Sequence, residues 1–403
     1  MSRILRLSFV QKLTALVVTA TQVGSVSKAQ EIAYGVQVGW GFWQFDPVNL
    51  NTGSFVYYEG VSTLMLPFGT TYAAGRLLTL DTLTSDLWSI HPADGRTVVA
   101  GPTGVGLNGS QWYGLEWVPS LGALLAVKSD TVFLVDPANG STTYVGVLSG
   151  IDPYDGIGSM ALSPGGTLVG FGAWQSNHSG VAVYLIDLNS LTANWQAYLP
   201  TPVGARFLDV AYRSNGELWA SVNTFSNSTR GLYTVDLNAY SMTRVLAMTG
   251  PPAGLAFGPG TVTSSYCTAK TTSNGCVPLI SGAGNASATA RHGYTISCSN
   301  VRNQAAGLLT FGLSGQAALP FGGGTLCVAA PRLRAGVHDS RGTAAPAVDC
   351  SGAWSLDFNK WHAIQPWIPA GATICAQWIG RDPGFAPPAN YILSDALEFS
   401  VIP

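Results

Sequence analysis

The stretch Phe42-Trp43-Gln44-Phe45-Asp46-Pro47 decides the fold of this chain, because a turn-and-strand signature of the same kind returns four more times. The further copies are Leu87-Trp88-Ser89-Ile90-His91-Pro92, Val132-Phe133-Leu134-Val135-Asp136-Pro137, Val183-Tyr184-Leu185-Ile186-Asp187-Leu188 and Leu232-Tyr233-Thr234-Val235-Asp236-Leu237. Positions 46, 91, 136, 187 and 236 are separated by 45, 45, 51 and 49 residues. A period of ~40–50 residues that carries several short strands is typical of a β-propeller.

A second series of apolar strands, each followed by a turn glycine, runs out of phase with the first. Its aligned positions are separated by 45, 45, 50 and 45 residues and are Tyr72, Trp117, Leu162, Tyr212 and Phe257. The last strands of this series, near 254–265, are expected to join the first strands, near 35–58, in one mixed sheet that leaves no open edge. We therefore predict an all-β chain with a five-bladed β-propeller, and six blades as the alternative.

The repeated aspartates are expected to be structural. Proline favours the second position of a turn, and the aspartate side chain can accept backbone N–H groups of its own turn. Gly53, Gly95 and Gly140 are placed to accept a positive φ. His91 replaces the aspartate once, which fits a role in the turn better than a role in catalysis.

Composition supports an all-β chain and excludes some partners. Only 10% of the 403 residues are charged, against ~25% in typical soluble proteins, and 48 are glycine. The net charge is −2 without a cluster of Lys and Arg, so we expect neither nucleic acid nor an anionic membrane as partner.

Residues 1–29 are expected to be a signal peptide. Arg3, Arg6 and Lys12 precede a short apolar run, and Ser27-Lys28-Ala29 offers small residues at a cleavage site. A disordered basic leader is the alternative. Because no later segment has the length of a transmembrane helix, we expect no membrane insertion and a secreted or cell-surface protein.

The cysteines predict a change of module. The sequence therefore divides into a signal peptide at 1–29, the propeller at 30–265 and a disulfide-bonded module at 266–403. A local Cys267–Cys276 bridge is expected, with Cys327–Cys350 and Cys298–Cys375 favoured among the remaining pairings. Zinc is the competing explanation, but no Cys-x-x-Cys or paired histidine accompanies these residues. All six cysteines lie at or beyond position 267, at Cys267, Cys276, Cys298, Cys327, Cys350 and Cys375.

The module at 266–403 resembles a C-terminal unit of large exported bacterial proteins. The resemblance implies export and modular organisation, and no activity. Alternating strands and Gly/Pro turns predict an antiparallel β-sandwich for it. The propeller half likewise resembles exported propellers with Leu-Tyr-x-Ile-Asp-type repeats. The motifs that carry the resemblance of the module are Tyr266-Cys267-Thr268-Ala269-Lys270, Ser299-Asn300-Val301-Arg302-Asn303, Gly307-Leu308-Leu309, Gly323-Gly324-Thr325-Leu326-Cys327-Val328, Asp349-Cys350-Ser351-Gly352, Gln377-Trp378, Arg381-Asp382-Pro383-Gly384-Phe385 and Leu393-Ser394-Asp395-Ala396-Leu397-Glu398-Phe399.

Two carboxyl groups stand out on the predicted inner strands. Glu116 and Asp209 lie where the other repeats place small residues, and inner strands line the central channel of a propeller. Such a pair, with Asp155 as a further candidate, could serve as acid and base in glycoside cleavage. A hydrated channel wall or a local hydrogen bond is the alternative explanation, because buried acids usually have partners.

A metal or cofactor has little support in the sequence. Asp152-Pro153-Tyr154-Asp155-Gly156 could offer oxygen ligands to calcium, but it lacks the ligand series of a dedicated calcium loop, and a plain turn explains it. We therefore expect no cofactor, with calcium as the alternative.

Aromatic side chains near predicted turns are candidates for binding sugar or peptide groups. Packing inside the blades is the competing explanation for such rings. The candidate binding residues are Trp112, Tyr113, Trp174, Trp219 and Phe225.

Two classes of function follow from these observations. The preferred one is a secreted or cell-surface, non-enzymatic protein whose propeller binds a carbohydrate or a protein partner, or which has a structural role. The alternative is a propeller glycoside hydrolase or polysaccharide lyase that uses the channel carboxyl groups. Neither the ligand nor the oligomeric state follows from the sequence.

Overall fold

A computed structural model describes most of the chain after the first 30 residues. The signal-peptide prediction therefore lies outside the described residues, as do Trp112, Asp155, Trp174 and Phe225. The described residues are 31–403 apart from 40, 49, 51–53, 57–58, 61–66, 105–112, 153–155, 173–179, 203, 225 and 365.

The part of the chain before Thr263 consists of short strands joined by tight turns. In chain order these strands are β1 Glu31–Gln37, β2 Gly41–Phe45, β3 Ser54–Val56, β4 Glu59–Gly60, β5 Pro67–Ala73, β6 Arg76–Asp81, β7 Asp86–Ile90, β8 Arg96–Pro102, β9 Tyr113–Val118, β10 Ala123–Lys128, β11 Thr131–Val135, β12 Thr142–Val147, β13 Ile157–Leu162, β14 Leu168–Gly172, β15 Gly180–Asp187, β16 Thr192–Pro200, β17 Arg206–Tyr212, β18 Leu218–Asn223, β19 Gly231–Asp236, β20 Ser241–Ala247 and β21 Gly254–Pro259.

Within the described residues these strands form five sheets. Sheet 1 has the order β21-β1-β2-β3, sheet 2 is β5-β6-β7-β8 with β4 parallel to β8, and sheets 3, 4 and 5 are β9–β12, β13–β16 and β17–β20. As predicted, the last strand joins the first: β21 pairs antiparallel with β1, and Ala33 lies opposite Phe257. Four-stranded antiparallel sheets repeated along an all-β chain fit a β-propeller.

Apolar side chains fill each space between neighbouring sheets. The first strands of the sheets contact one another in the cycle β5, β9, β13, β17, β21 and back to β5. One buried cluster joins sheet 5 to sheet 1 through Trp219, Leu232 and Leu255, so the end of this region packs against its beginning. Similar clusters join sheets 1 and 2, 2 and 3, 3 and 4, and 4 and 5.

Burial falls from the first strand of a sheet to the last. In sheet 4, β13 is almost fully buried, whereas β16 has only two buried residues, Ala193 and Leu199. In sheet 5, β20 contains no buried residue. This gradient explains why the first strands carry small and apolar residues, which fit between neighbouring sheets.

The repeated turns behave as the sequence predicts. A side-chain oxygen of Asp46 accepts the N–H of Val48 at 2.8 Å, and Asp136, Asp187 and Asp236 accept the N–H two residues later in the same way. His91 substitutes for them, since its Nδ1 accepts the N–H of Ala93 at 3.3 Å. Gly95 and Gly140 have φ values of 73° and 74°, as expected, whereas Gly53 lies outside the described residues.

The chain from Thr263 onward forms a second unit around its own apolar core. Its elements are β22 Thr263–Tyr266, β23 Leu279–Gly284, β24 Tyr294–Val301, β25 Ala306–Gly312, β26 Gln316–Phe321, β27 Gly324–Val328, β28 Leu333–Asp339, β29 Gly352–Asp357, the helix α1 Phe358–Ile364, β30 Thr373–Arg381 and β31 Tyr391–Ser400.

Two sheets enclose the core of the second unit. One has the order β22-β31-β30-β25-β28, the other β23-β24-β29, and β26 and β27 form a separate hairpin. Trp354 and Trp378 stack in the core at 5.7 Å between ring centroids. Because β22 pairs with β31, the sheet partner changes between Pro259 and Thr263, ahead of the boundary predicted after residue 265.

The disulfide pairing differs from the predicted one. Cys267 is bonded to Cys327 and Cys276 to Cys350, with Cα–Cα distances of 6.3 and 5.5 Å. The predicted Cys267–Cys276, Cys327–Cys350 and Cys298–Cys375 bridges are therefore wrong. Cys298 and Cys375 are buried free thiols, and they lie on different sheets, in β24 and β30.

The two units meet through buried polar groups. Asn285 donates its side-chain N–H groups to the hydroxyl of Tyr34 and the amide oxygen of Gln44, at 3.1 and 3.3 Å. The side-chain amide of Gln44 in turn donates to the carbonyl of Pro92. In the part of the chain that the structure describes, no helix has the length and apolar character needed to cross a membrane.

Candidate functional site

The ends of the first strands of all five sheets surround one cavity of about 730 Å³. The same register position of each strand supplies a half-buried, apolar or aromatic lining residue at its rim. These five residues, called the aromatic rim below, are Tyr72, Trp117, Leu162, Tyr212 and Phe257.

The rings of the aromatic rim are held by rings behind them. Tyr72 stacks on the fully buried Tyr34, with 6.0 Å between centroids and 14° between planes. Phe257 meets the edge of Trp219 at 5.6 Å. Each of the four rings also packs against one of the apolar clusters between sheets. The rim is therefore a preorganised surface, and a ligand that stacks on it need not order it.

Glu116 lies in the wall of the cavity, one residue before the rim. Its Oε1 accepts the hydroxyl of Thr71 at 3.2 Å and the N–H of Trp117 at 3.1 Å. The aligned residues of the other strands are Thr71, Ala161, Ala211 and Ala256, so Glu116 is the one ionisable group at this level of the strands. Its side chain is half-buried and faces the cavity.

Asp209 lies deeper and is 1% exposed. Its Oδ2 accepts the N–H groups of Thr70 and Leu255 at 2.8 and 2.9 Å, and its Oδ1 accepts the N–H of Val210 at 2.9 Å. These donors belong to β5, β21 and β17. Asp209 therefore ties together three first strands, including the one that closes the circle of sheets.

Both carboxyl groups have raised pKa values. Burial raises the pKa of Glu116 to about 8, with a further contribution from Asp209, against hydrogen bonds from Thr71, Trp117 and Leu162 that lower it. Burial also raises the pKa of Asp209 to about 8, against its three backbone donors. At neutral pH the carboxyl group of Glu116 in the cavity wall is therefore mostly protonated and uncharged.

The outer edge of the cavity is polar. Arg213 bridges Glu31 and Glu217 with N–O distances of 2.9 and 2.7 Å, and the N–H of Ser214 donates to Glu31 at 2.6 Å. Two carboxylates thus share one guanidinium group at this edge. Within the residues described here, the cavity offers a ligand aromatic faces, the Glu116 carboxyl group and, at its outer edge, the Glu31 carboxylate paired with Arg213.

The predicted catalytic pair does not share the cavity. Glu116 lines it, whereas Asp209 is covered and all its contacts serve the backbone. Asp155 lies outside the described residues. Among the described residues, no group of three His, Cys, Asp or Glu side chains could hold a metal ion.

The predicted binding residues differ from those that line the cavity. Trp219 is 2% exposed and supports Phe257 from behind, so its predicted contact with a ligand is wrong and the alternative of core packing holds for this ring. Tyr113 begins β9, but the structure does not describe its side chain. Trp112, Trp174 and Phe225 stay predictions. The residues of the aromatic rim are not among the predicted binding residues, although an aromatic residue recurs at this aligned position in four of the five repeats.

Comparisons with known proteins give no family. No family model and no curated protein matches the chain. Among solved structures, Kuenenia stuttgartiensis hydrazine synthase aligns at 13% identity and a TM-score of 0.31, covering 56% of this chain and 67% of that chain.

Two further solved structures align over a similar part of this chain. A chain of the nidogen/laminin complex aligns at 9% identity and a TM-score of 0.39, covering 56% of this chain and 98% of that chain. A protein of unknown function from Bacteroides caccae aligns at 14% identity and a TM-score of 0.31, covering 54% of this chain and 72% of that chain. Scores this low transfer no activity to the present chain.

Proposed function

We propose that this chain is an exported, non-enzymatic binding protein that holds a neutral carbohydrate at the aromatic rim. The observation that carries the proposal is the recurrence of half-buried rings around one cavity whose wall holds a protonated carboxyl group. Aromatic faces favour the apolar face of a sugar ring, and a neutral carboxyl group both donates and accepts hydrogen bonds with hydroxyl groups.

The fold is part of this proposal. We propose that sheets 1 to 5 are the blades of a five-bladed propeller, and that the two sheets after Thr263 form an antiparallel β-sandwich. The pairing of β21 with β1 and the apolar clusters between sheets support the first proposal. The shared core with Trp354 and Trp378 supports the second.

The disulfides support export, as does the signal peptide predicted at 1–29. Two disulfides are typical of chains that fold outside the reducing cytoplasm. The resemblance of 266–403 to C-terminal units of exported bacterial proteins points in the same direction. In this proposal the second unit displays or attaches the propeller.

The alternative of a hydrolase or lyase has less support. A carboxyl pair that cleaves a glycosidic bond must reach the substrate with both groups. Of the predicted pair only Glu116 faces the cavity, because Asp209 is covered and accepts backbone N–H groups with both oxygens.

A binding experiment tests the proposal. The mature protein is screened on an array of neutral glycans, and the strongest ligand is titrated by calorimetry. Trp117→Ala should weaken binding about fivefold, which corresponds to the ~1 kcal/mol that an aromatic contact contributes beyond its buried area. The matched control is Trp195→Ala, since Trp195 is 52% exposed on the outer strand β16 and does not line the cavity.

Two results would contradict the proposal. One is unchanged affinity of the Trp117→Ala variant when its near-ultraviolet circular dichroism shows an intact fold. The other is the release of new reducing ends or unsaturated products from the bound glycan, which would favour the enzymatic alternative.

A further inference from the structure

A second cleft lies away from the aromatic rim, where sheet 2 meets the second unit. It has a volume of about 820 Å³. Arg76, Arg96 and His91 line it from sheet 2 and its turn, and Thr289 and Arg291 line it from the segment before β24. Three of the 19 Lys and Arg residues of the chain line this one cleft.

Asp94 fixes one wall of this cleft. It is fully buried, and its Oδ2 accepts the Nε–H of Arg96 at 2.9 Å and the N–H of Arg291 at 2.7 Å, while its Oδ1 lies 3.2 Å from Nδ1 of His91. Arg96 also donates to the carbonyl of Thr289 at 2.5 Å, and Nε2 of His91 lies 2.9 Å from the Thr289 hydroxyl. These hydrogen bonds join the two units at the wall of the cleft.

The groups around Asp94 keep its carboxyl group ionised. Burial opposes its ionisation, but the neighbouring His91 imidazole, the N–H of Arg291 and the charge of Arg96 outweigh burial and lower the pKa of Asp94 to about 2. Asp94 is thus a carboxylate at all ordinary pH values. It compensates Arg96 and leaves the other two guanidinium groups without compensation.

Arg76 and Arg291 supply the free positive charge. Among the described residues, neither guanidinium group has a hydrogen-bond acceptor or a carboxylate within ion-pair distance. Pro403 lines the same cleft, and its backbone oxygen accepts the hydroxyl of Ser287 at 2.7 Å. Among the described side chains, three guanidinium groups against the one carboxylate of Asp94 give the cleft a net positive charge.

Among the described residues, the rest of the lining is small or polar apart from Val98, and it contains no aromatic ring. The remaining residues are Ala74, Gly75, Ser89, Thr97 and Val98. Such a surface has no apolar pocket to anchor a peptide side chain, and hydrophilic ligands suit it better. Guanidinium groups recognise carboxylates through paired N–H donors.

We infer that this cleft binds a carboxylate-bearing saccharide, and that the guanidinium groups of Arg76 and Arg291 bind its carboxylate. This inference is independent of the neutral-sugar site at the aromatic rim. The cleft lies between the two units, so an occupant would contact both of them.

Titration with a matched pair of hexasaccharides tests the inference. The probes are a hyaluronan hexasaccharide, which carries glucuronate, and chitohexaose, which is neutral and of the same length, both at low ionic strength. Arg76→Gln and Arg291→Gln should each weaken hyaluronan binding about threefold, and the double variant about tenfold, as expected for partly exposed ion pairs. The control is Arg334→Gln, which removes an exposed arginine of β28 that does not line the cleft.

Several outcomes would overturn the inference. They are equal affinity for the two hexasaccharides, an unchanged Kd in the double variant, an equal loss in Arg334→Gln, and tighter binding of a hexaglutamate peptide than of hyaluronan. Binding that resists 0.5 M salt would also contradict it, because exposed ion pairs are screened. Trp117→Ala should leave hyaluronan binding to the cleft intact, which separates this test from that of the aromatic rim.

Discussion

Single residues break the repeat at two points, and both were visible in the sequence. Glu116 and Asp209 replace small residues on aligned strands, and the structure gives them different tasks. Asp209 accepts three backbone N–H groups, whereas Glu116 keeps access to the cavity. The sequence shows where such residues lie along a strand. It does not show how deeply each is buried, because depth depends on the neighbouring sheets.

The raised pKa values of both acids predict a stability that depends on pH. Both pKa values are about 8 in the folded protein, whereas the same groups have pKa values of ~4 in the unfolded chain. Between pH ~4 and pH ~8 the folded state therefore binds more protons than the unfolded state. The contribution of these two acids to the free energy of unfolding should therefore be largest below pH ~4. It should decrease as the pH rises toward 8, by at most ~1.4 kcal/mol per pH unit for each acid.

Glu116→Gln isolates one of the two contributions. The amide stays uncharged, so the free energy of unfolding should fall less steeply between pH 5 and pH 8 than in the wild type. Urea denaturation at several pH values measures this slope. Asp339→Asn, which removes an exposed acid of β28, serves as control. Equal slopes in the wild type and Glu116→Gln would show that Glu116 does not titrate in this window.

Among the elements, the first strands carry a shared distortion. The pairing register shifts between Phe68 and Thr70, between Ile157 and Ser159, and between Phe207 and Asp209. In β5 the shift places Gly69 at a φ of +58° and presents the N–H of Thr70 to Asp209. Such bulges redirect single backbone groups without ending the strand.

A pair of glycine substitutions measures this distortion. Gly69 and Gly122 have nearly equal φ values, +58° and +60°, so alanine meets similar backbone strain at both. A Cβ at Gly69 would lie 2.6 Å from the backbone nitrogen of Leu115, whereas a Cβ at Gly122 would meet nothing within 4 Å. Gly69→Ala should therefore cost about 1–3 kcal/mol more than Gly122→Ala in urea unfolding, as typical of overpacking. Equal losses of unfolding free energy in the two variants would contradict the prediction that a Cβ at Gly69 clashes with Leu115 of β9.

The elements of the repeat were predictable, and the disulfides were not. Spacing and turn chemistry are local, so the strands, the aspartate turns and the pairing of β21 with β1 followed from the sequence. The Cys276 partner depends on packing: Asn274 donates to the carbonyl of Asp349 and holds the turn beside Cys350. That contact joins segments far apart in the sequence, and no spacing rule reveals it.

At the scale of the whole molecule, closure of the sheets creates the aromatic rim. Tyr72 and Phe257 come from strands at opposite ends of the region, and they meet at one cavity because β21 lies between β1 and β5. The arginine cleft was beyond sequence reasoning, because it depends on how the second unit packs against sheet 2. Asn285, Tyr34 and Gln44 fix that packing through buried hydrogen bonds.

A cysteine cross-link tests the closure most directly. Glu31 and Pro259 lie opposite each other in the antiparallel pair of β1 and β21, at a spacing that suits a disulfide. The control pairs E31C with S241C, since Ser241 is exposed on β20, the outermost strand of sheet 5. After oxidation and proteolysis, mass spectrometry should find a peptide that links β1 to β21 in E31C/P259C and none that links β1 to β20 in the control. Absence of the β1–β21 link, or equal yields in both proteins, would contradict the closed arrangement and with it the aromatic rim.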